Sequence, residues 1–535
     1  MSESTMHSRR NFLKGAGLAT AAAAAFIIAG CSSGSDEPAT KKVDSIEWDG
    51  EYDVIVVGAG AAGLAAAATV ATEGDGATCL LLEKAADYGG NSPFCLGAML
   101  FTENPDAFST YMKGLAAGTT PDDVIDAYVA GLSENFEWLK ALGAAEEDMY
   151  VADPAPAAAA EWPEFNIGES YRMVIFTGMG GGAPHIHMFL ADTVKAHSDT
   201  ITFMNSTPFE ALVQDAATKE IVGVVAAGKN YRAAKGVIMC CGGFENDPDM
   251  LATYHGVRGV RPLAATQNTG DGHRACMHVG ADQWHMTAGA QYWMGCRNLD
   301  DTEFMSRSWD FTSKQFGITV GMNGRRFYQD WDGCAVPNPN LGIPYAMPGD
   351  DITLAVGYRH GITQFGGAWT HLPFPERGWY IFDADGLAAG AVPQDLSTDP
   401  VADGWALSAD TIEELAAKIE VPATELAHTV EIWNGFCDDG EDKAFYRSPD
   451  TLAKIAKAPF YAVKCAPTML NTDGGPVRNA KGEILDVTGE PIAGLYSAGE
   501  FGSVWGNLYQ GAGNIGECLA FGRISVRSAL ARSAE

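Results

Sequence analysis

Asp53-Val54-Ile55-Val56-Val57-Gly58-Ala59-Gly60-Ala61-Ala62-Gly63 decides the fold. Its first five residues are an apolar run without alternation, which reads as a parallel strand buried on both faces. Three glycines follow at once, and the alanine-rich stretch Leu64 to Thr72 predicts a helix. Strand, glycine turn and helix in this order are what a dinucleotide-binding loop requires. Gly58 permits the tight turn, and Gly60 lets backbone approach a pyrophosphate, with Ala61 and Ala62 beside it. Gly63 lets helix and strand pack closely, and the helix N-terminus faces the phosphate charge. A second apolar run, Cys79-Leu80-Leu81-Leu82, ends at Glu83, twenty residues beyond Gly63. A carboxylate there accepts ribose hydroxyls and repels a 2′-phosphate.

This fingerprint does not by itself separate FAD from NAD. The segment from Lys84 to Ser92, ending Tyr88-Gly89-Gly90-Asn91-Ser92, resembles the second glycine segment of the fumarate reductase and 3-ketosteroid dehydrogenase flavoproteins. There it runs along the FAD pyrophosphate and isoalloxazine. The resemblance covers most of the chain. Thr207-Pro208-Phe209-Glu210-Ala211-Leu212 is similar to the strand whose backbone contacts adenine, which implies a role for Ala211. Ile238–Glu245, with Gly242, is similar to the strand that returns to the cofactor. Asn268-Thr269-Gly270-Asp271-Gly272 matches a loop near the flavin. Gly494–Glu500 matches the last strand of the FAD domain, where Glu500 would hold the ribityl chain. Gly511–Gly516, with Gly513, Asn514 and Ile515, would open a final helix whose N-terminus stabilises negative charge on reduced flavin.

The implied fold is α/β: a Rossmann-like FAD-binding domain, residues 49–275 and 455–535, interrupted by an α+β substrate-capping domain at 276–454. Thr411 to Ile419 and Ala423 to Phe436 predict two helices joined at Pro422, with apolar residues at helical spacing that pack the cap. No histidine occupies Asn91–Leu96, so non-covalent FAD is expected.

The resemblance implies hydride exchange between flavin N5 and the carbon β to a carbonyl, with a protein group handling the α proton. Members acting on dicarboxylates use arginines and histidines, because two carboxylates must be neutralised. Here the arginine-rich C-terminal segment reads Gly506-Asn507-Leu508-Tyr509-Gln510-Gly511-Ala512-Gly513, and the usual His-x-x-Gly-Gly is Asn471-Thr472-Asp473-Gly474-Gly475. The position of the proton-donating arginine falls near Cys334. These departures argue against dicarboxylate reduction. Tyr509-x-x-x-Gly513 instead resembles 3-ketosteroid dehydrogenases, in which a tyrosine hydroxyl and a glycine N–H grip the substrate ketone. The bland alternative is that Tyr509 packs beside the flavin. Tyr328 is the candidate for the α proton, with Tyr292 and Arg326 in reserve. His185 and His187 either line an entrance or serve packing.

The expected reaction is therefore reduction or dehydrogenation of a C–C bond beside a carbonyl in a neutral small molecule. Trp293, Trp309, Trp331, Trp369 and Trp379 suit a steroid-like or lactone-bearing ligand, or build the cap core. The superfamily includes reductases of plant glycoside lactones. One alternative is a small-acid reductase with an anion site built from Arg297, Arg307, Arg325 or Arg326. Another is a flavin electron carrier without an organic substrate, against which the large cap argues.

Charge and export signals set the surroundings. The formal charge of −33 over 535 residues excludes a nucleic-acid partner, whose phosphates need a basic surface. Ser8-Arg9-Arg10-Asn11-Phe12-Leu13-Lys14 is a twin-arginine export pattern followed by the apolar stretch Ala21 to Ile28, well short of the roughly 20 apolar residues that span a bilayer. Ile27-Ile28-Ala29-Gly30-Cys31 resembles a lipoprotein cleavage box. The expectation is a signal at 1–31, a tether at 32–48, and lipid anchoring at the outer face of the membrane. Electrons would then come from a membrane or cytochrome donor. The ten other cysteines form no Cys-x-x-Cys pair, and most read as small buried hydrophobes. A cluster assembled from distant cysteines stays open.

Overall fold

Val54–Val57 are sealed on both faces in strand β1 (Gly50–Val57), as the unbroken apolar run requires. The computed structural model describes residues 46–94, 98–151, 162, 165, 170–176, 186–303, 316–327, 337–338, 343–344, 375–445, 447 and 449–532. Helix α1 (Ala61–Glu73) begins within the glycine motif, three residues before the expected Leu64. Strand β2 (Cys79–Leu82) pairs parallel to β1, from Val54↔Cys79 to Val57↔Leu82. Helices α2 (Pro105–Ala116) and α3 (Asp122–Ala141) follow, and then α4 (Ile186–Ala196). Strand β3 (Ile201–Met204) extends the parallel sheet beyond β2. A hairpin, β4 (Phe209–Gln214) and β5 (Ile221–Ala226), leads into β6 (Lys229–Met239), which returns parallel to β1 on its other side.

Helix α5 (Asp271–His278) leaves this sheet for the cap. The cap is a five-stranded antiparallel sheet: β7 (Gly289–Arg297), β8 (Gly317–Gly321), β9 (Gly378–Phe382), β10 (Ala406–Ala409) and β11 (Phe460–Thr472). Helices α6 (Ile412–Lys418) and α7 (Ala423–Asp439) back it, and Thr411 caps α6 by accepting the Glu414 N–H at 3.1 Å. Leu415, Leu426, Val430 and Trp433 pack on Ile318, Val320, Ile381 and Ala462, so their helical spacing is core spacing. The expected boundary at 455 grouped Phe460–Thr472 with the nucleotide-binding part. Its thirteen residues instead pair with β7, β9 and β10, because their partners along the sheet edge are cap strands.

The chain then re-enters the first sheet. Strands β12 (Glu483–Leu485) and β13 (Pro491–Ser497) add at its far edge, β13 parallel to β6. The last helix, α8 (Gly513–Ala531), lies against α1. That approach is close: a Cβ at Gly522 would stand 2.9 Å from the Ala62 carbonyl oxygen and 3.1 Å from the Ala65 Cβ, so position 522 has little room for a side chain. Gly58 adopts φ +100°, and a side chain there would strike the Cys240 carbonyl. A Cβ at Gly63 would strike the Gly58 carbonyl, so helix and turn meet backbone to backbone.

A buried ion pair ties α8 to the hairpin before β12. Arg478 binds Glu517, both side chains fully enclosed, and Glu517 also accepts the Ser503 hydroxyl at 2.6 Å and the Val504 N–H at 2.9 Å. Removing one charge from such a pair leaves the other buried alone, which costs about 3–5 kcal/mol. Glu517→Gln is therefore expected to lower unfolding free energy by about that amount in denaturant titrations; an unchanged midpoint would contradict this role.

Candidate cofactor and active site

The carboxyl ends of β1, β2 and β6 open onto a cavity of about 420 Å³, where ligands of open α/β sheets bind. Val57, Leu82 and Cys240 form its floor, and Gly58, Gly60, Ala61 and Ala62 rise from it as the first turn of α1. The N–H groups of that turn have no intrahelical acceptor, so they present positive dipole to an anion. Ser92 Oγ accepts the Ala61 N–H at 3.0 Å. The second glycine segment faces the first: Gly60 bridges to Gly89, and a Cβ at Gly90 would lie 3.6 Å from the Gly60 Cα. Two bare backbone edges thus bound a strip that side chains would fill, a fitting cradle for a pyrophosphate.

Glu83 stands at the end of β2, 8% exposed. Its Oε2 accepts the Ala59 N–H and its Oε1 the Ala85 N–H, both at 2.8 Å. These two bonds fix the carboxylate, and each oxygen keeps a lone pair for a ribose hydroxyl. Lys84, beside it on the wall, binds Asp271 at 2.6 Å and Thr269 at 2.8 Å. Thr207 and Phe209 also line this end. Ala211, beyond a register shift in β4, is not among the residues that line it. Gly63 likewise lies behind the wall, in contact with the Gly58 carbonyl.

At the other end a hydrogen-bonded network of amides and carboxylates joins the two domains. Asn91 donates to Glu245 Oε1 at 2.8 Å and to Glu500 Oε2 at 3.1 Å, and accepts the Ala265 N–H at 2.8 Å. Asn268, beside Gly242, donates to Glu245 at 2.7 Å. Asn514, at the start of α8, donates to Glu500 at 3.4 Å and to Asn471 Oδ1 at 3.1 Å, and Asn471 donates to Asp473 at 2.9 Å. Burial pushes the Glu245 carboxyl up, and burial followed by the Glu245 charge pushes Glu500 up to about 8. Glu500 is half-buried where it lines the cavity, so a seated cofactor completes its enclosure. Asn514 Oδ1, also on the wall, has no donor among the described residues. A buried acceptor of this kind calls for a ligand N–H or O–H, which FAD offers along its ribityl chain and ring edge.

Tyr509 and Ile515 complete this end of the wall. The Tyr509 hydroxyl accepts the Asn514 N–H at 3.3 Å, its carbonyl accepts the Trp162 indole N–H at 2.9 Å, and its ring meets Trp505 edge-on at 5.2 Å. Gln510 anchors the segment by accepting the Tyr111 and Tyr171 hydroxyls at 2.5 and 3.0 Å. The expected pairing of Tyr509 with the Gly513 N–H needs correction. That N–H donates to the Gln510 carbonyl at 3.0 Å, and Gly513 sits against Trp505, off the cavity wall.

Three of the four arginines proposed for an anion site are described, and each is paired with a carboxylate. Arg297 binds Asp301 at 2.7 Å, Arg325 binds Glu425 at 2.6 Å, and Arg326 is locked in a buried two-pronged pair with Asp442 between Trp433 and Phe445. None of the three lines the cavity, and the Arg326 guanidinium is held by both oxygens of Asp442. Trp379 packs in the cap core, and buried His187 lies behind Gly89. Tyr328, Arg307, His185, Trp309, Trp331 and Trp369 lie outside the described residues, as do the expected signal and most of the tether; Tyr292 and Trp293 are placed only as backbone of β7. Glu245, Asn268 and Asn471 escaped the sequence reading as site residues. Their one signal was position, each lying within three residues of a glycine of the motifs.

Among the described residues no helix is long and apolar enough to cross a membrane, and no group of three or more His, Cys, Asp or Glu is placed to hold a metal ion. Residues 6–26 match the model of the twin-arginine translocation signal, so the chain is exported by that route. The chain is 28% identical to a digoxin reductase of Eggerthella lenta, over 98% of this chain and 97% of that one. It is 27% identical to a vinyl phenol reductase of Lactiplantibacillus plantarum, over 89% and 95%. Its fold matches that of a 3-ketosteroid Δ1-dehydrogenase from Sterolibacterium denitrificans with a TM-score of 0.69 at 22% identity, covering 90% of this chain and 99% of that one. Residues 53–515 match the family of the FAD binding domain. With its glycine cradle and interrupted α/β domain, the chain belongs to this FAD-binding family, an oxidoreductase among the flavoproteins of the fumarate reductase and 3-ketosteroid dehydrogenase kind.

Proposed function

We propose that this exported flavoenzyme reduces a carbon–carbon double bond beside the carbonyl of a neutral, fairly hydrophobic molecule. The observation that carries the reading is the charge of the wall. Among the described residues its one cation is Lys84, already bound to Asp271, while Arg297, Arg325 and Arg326 are spent on other carboxylates. Among the described residues a dicarboxylate on this wall would meet Glu500 with no guanidinium to offset it. Digoxin and a 3-ketosteroid, in the names of similar proteins, support the same class, and vinyl phenol supports a neutral substrate although it has no carbonyl.

FAD, when bound, supplies hydride exchange at N5, and we assign it as non-covalent. The chain's own residues do the rest. Glu83 and the first turn of α1 hold the nucleotide end, and Asn91, Glu500 and Asn514 orient the other end. Tyr509 is assigned as the donor that polarises the substrate carbonyl. Its oxygen accepts the Asn514 N–H, and a hydroxyl that accepts one bond donates the next more strongly. Tyr328 is assigned to the α proton from its place after Gly324–Phe327. Lipidation at Cys31 would hold the enzyme at the outer face of the membrane, within reach of a membrane or cytochrome electron donor.

Anaerobic stopped-flow reoxidation of the reduced protein tests this against fumarate, cinnamate-type acids, enone steroids and unsaturated lactones. A neutral enone or lactone should reoxidise the wild type. Tyr509→Phe should retain FAD yet lose about 10²–10³ in rate, the usual effect of deleting one carbonyl-polarising donor. Reoxidation by carboxylates alone would sink the reading, and silence with fast oxidation by a cytochrome would favour an electron carrier. Arg325→Ala, at an exposed surface pair, is expected to leave every rate in the panel unchanged, since such pairs contribute roughly 0–1 kcal/mol; a selective loss of carboxylate turnover would revive the anion site.

A further inference from the structure

Glu245 and Glu500 lie in the loops after two strands far apart in sequence and meet across one side chain, the Asn91 amide, which gives one N–H to each. They are unequally supported. Glu245, 1% exposed, accepts from Asn91, from Asn268, and from the Thr472 N–H and hydroxyl at 3.4 and 3.3 Å. Glu500 accepts only the Asn91 bond and the long one from Asn514 among the described residues.

The other titratable groups facing Glu500 give it little help. Glu517 adds negative charge to its surroundings, while Asp473, its own carboxyl pushed well up by burial and by the Glu500 and Glu517 charges, supplies no cation. Arg478, the buried cation on that side, is taken by Glu517, and Lys84 across the cavity by Asp271. Tyr509 on the loop and Cys518 on α8 complete the wall beside it. Asp473 is fully buried, and its Oδ2 has no donor among the described residues, a second sign that this network holds protons in place of cations. Like charges this close and this buried cannot all ionise.

We propose that Glu500 stores a proton beside the cofactor: Glu245 keeps the negative charge, and Glu500 binds one proton more tightly when the flavin is reduced. The inference rests on FAD binding and is independent of the substrate. Burial and the Glu245 charge set the window. With its carboxyl raised to about 8, Glu500 holds the proton below that pH and loses it above while the flavin is oxidised. Negative charge arriving on reduction raises it further. Above pH 8, two electrons from an external donor therefore bring one proton to the flavin and a second, from water, to the Glu500 carboxylate. Reoxidation releases that second proton.

Proton uptake on anaerobic photoreduction of the holoenzyme, in weak buffer with a pH dye, tests the proposal. The wild type should take up about one proton per flavin near pH 7 and approach two above pH 8. Its midpoint potential should steepen there by about 30 mV per pH unit, the tenfold-per-pH equivalent for a two-electron couple. Glu500→Gln should stay near one proton throughout. Asp473→Asn, which serves even if Glu500→Gln fails to hold flavin, should keep the second proton. Wild-type uptake of one proton at both pH values would overturn the proposal, as would loss of the second proton in Asp473→Asn.

Discussion

Asn91 holds the centre of this molecule together. One amide reaches a carboxylate from the loop after β6, a carboxylate from the loop after β13, and the backbone N–H of Ala265. Its neighbours carry the link onward through Asn514 and Asn471 to β11, a strand of the cap. A side chain shorter by one atom or lacking one hydrogen would leave at least one buried group without a partner, at a cost of about 1–3 kcal/mol each. The two domains are therefore joined at the cofactor site by hydrogen bonds that need every member present, and the site's geometry depends on that completeness.

Charge explains why the network is built from amides. The wall holds several carboxylates, and the buried cations nearby are already spent on others. Amides solvate carboxylates without adding charge, so the site tolerates an approaching nucleotide while keeping its polarity in check. The same logic runs through the cap, where Arg326 and Arg447 are packed against Trp433 as scaffolding and not aimed at a ligand.

Much of the fold was legible because its signals are local. The unbroken apolar run of β1, the glycines after it and Glu83 at the end of β2 each answer a constraint imposed by residues within thirty positions along the chain. The helices at 412–418 and 423–439 were legible for the same reason, through Thr411, Pro422 and the apolar spacing between. The strand Phe460–Thr472 was not, because its partners are set by sheet pairing with residues that begin at position 289. The register shift beside Ala211 and the Gln510 carbonyl that takes the Gly513 N–H were likewise not legible in the sequence.

Sequence alone determined the α/β class, the dinucleotide loop, the FAD-binding family and the export signal, since each rests on short-range spacing or on an uninterrupted motif. Tertiary structure decided which polar residues act together. Asn91, Glu245, Glu500, Asn514 and Asn471 span 423 positions from first to last, 514 − 91, and nothing in their spacing announces a shared network. It also decided that the described arginines of the cap serve ion pairs and packing. The physical reason is the same in both cases: a hydrogen bond or ion pair is made at about 3 Å in space, and only the folded chain brings its two ends that close.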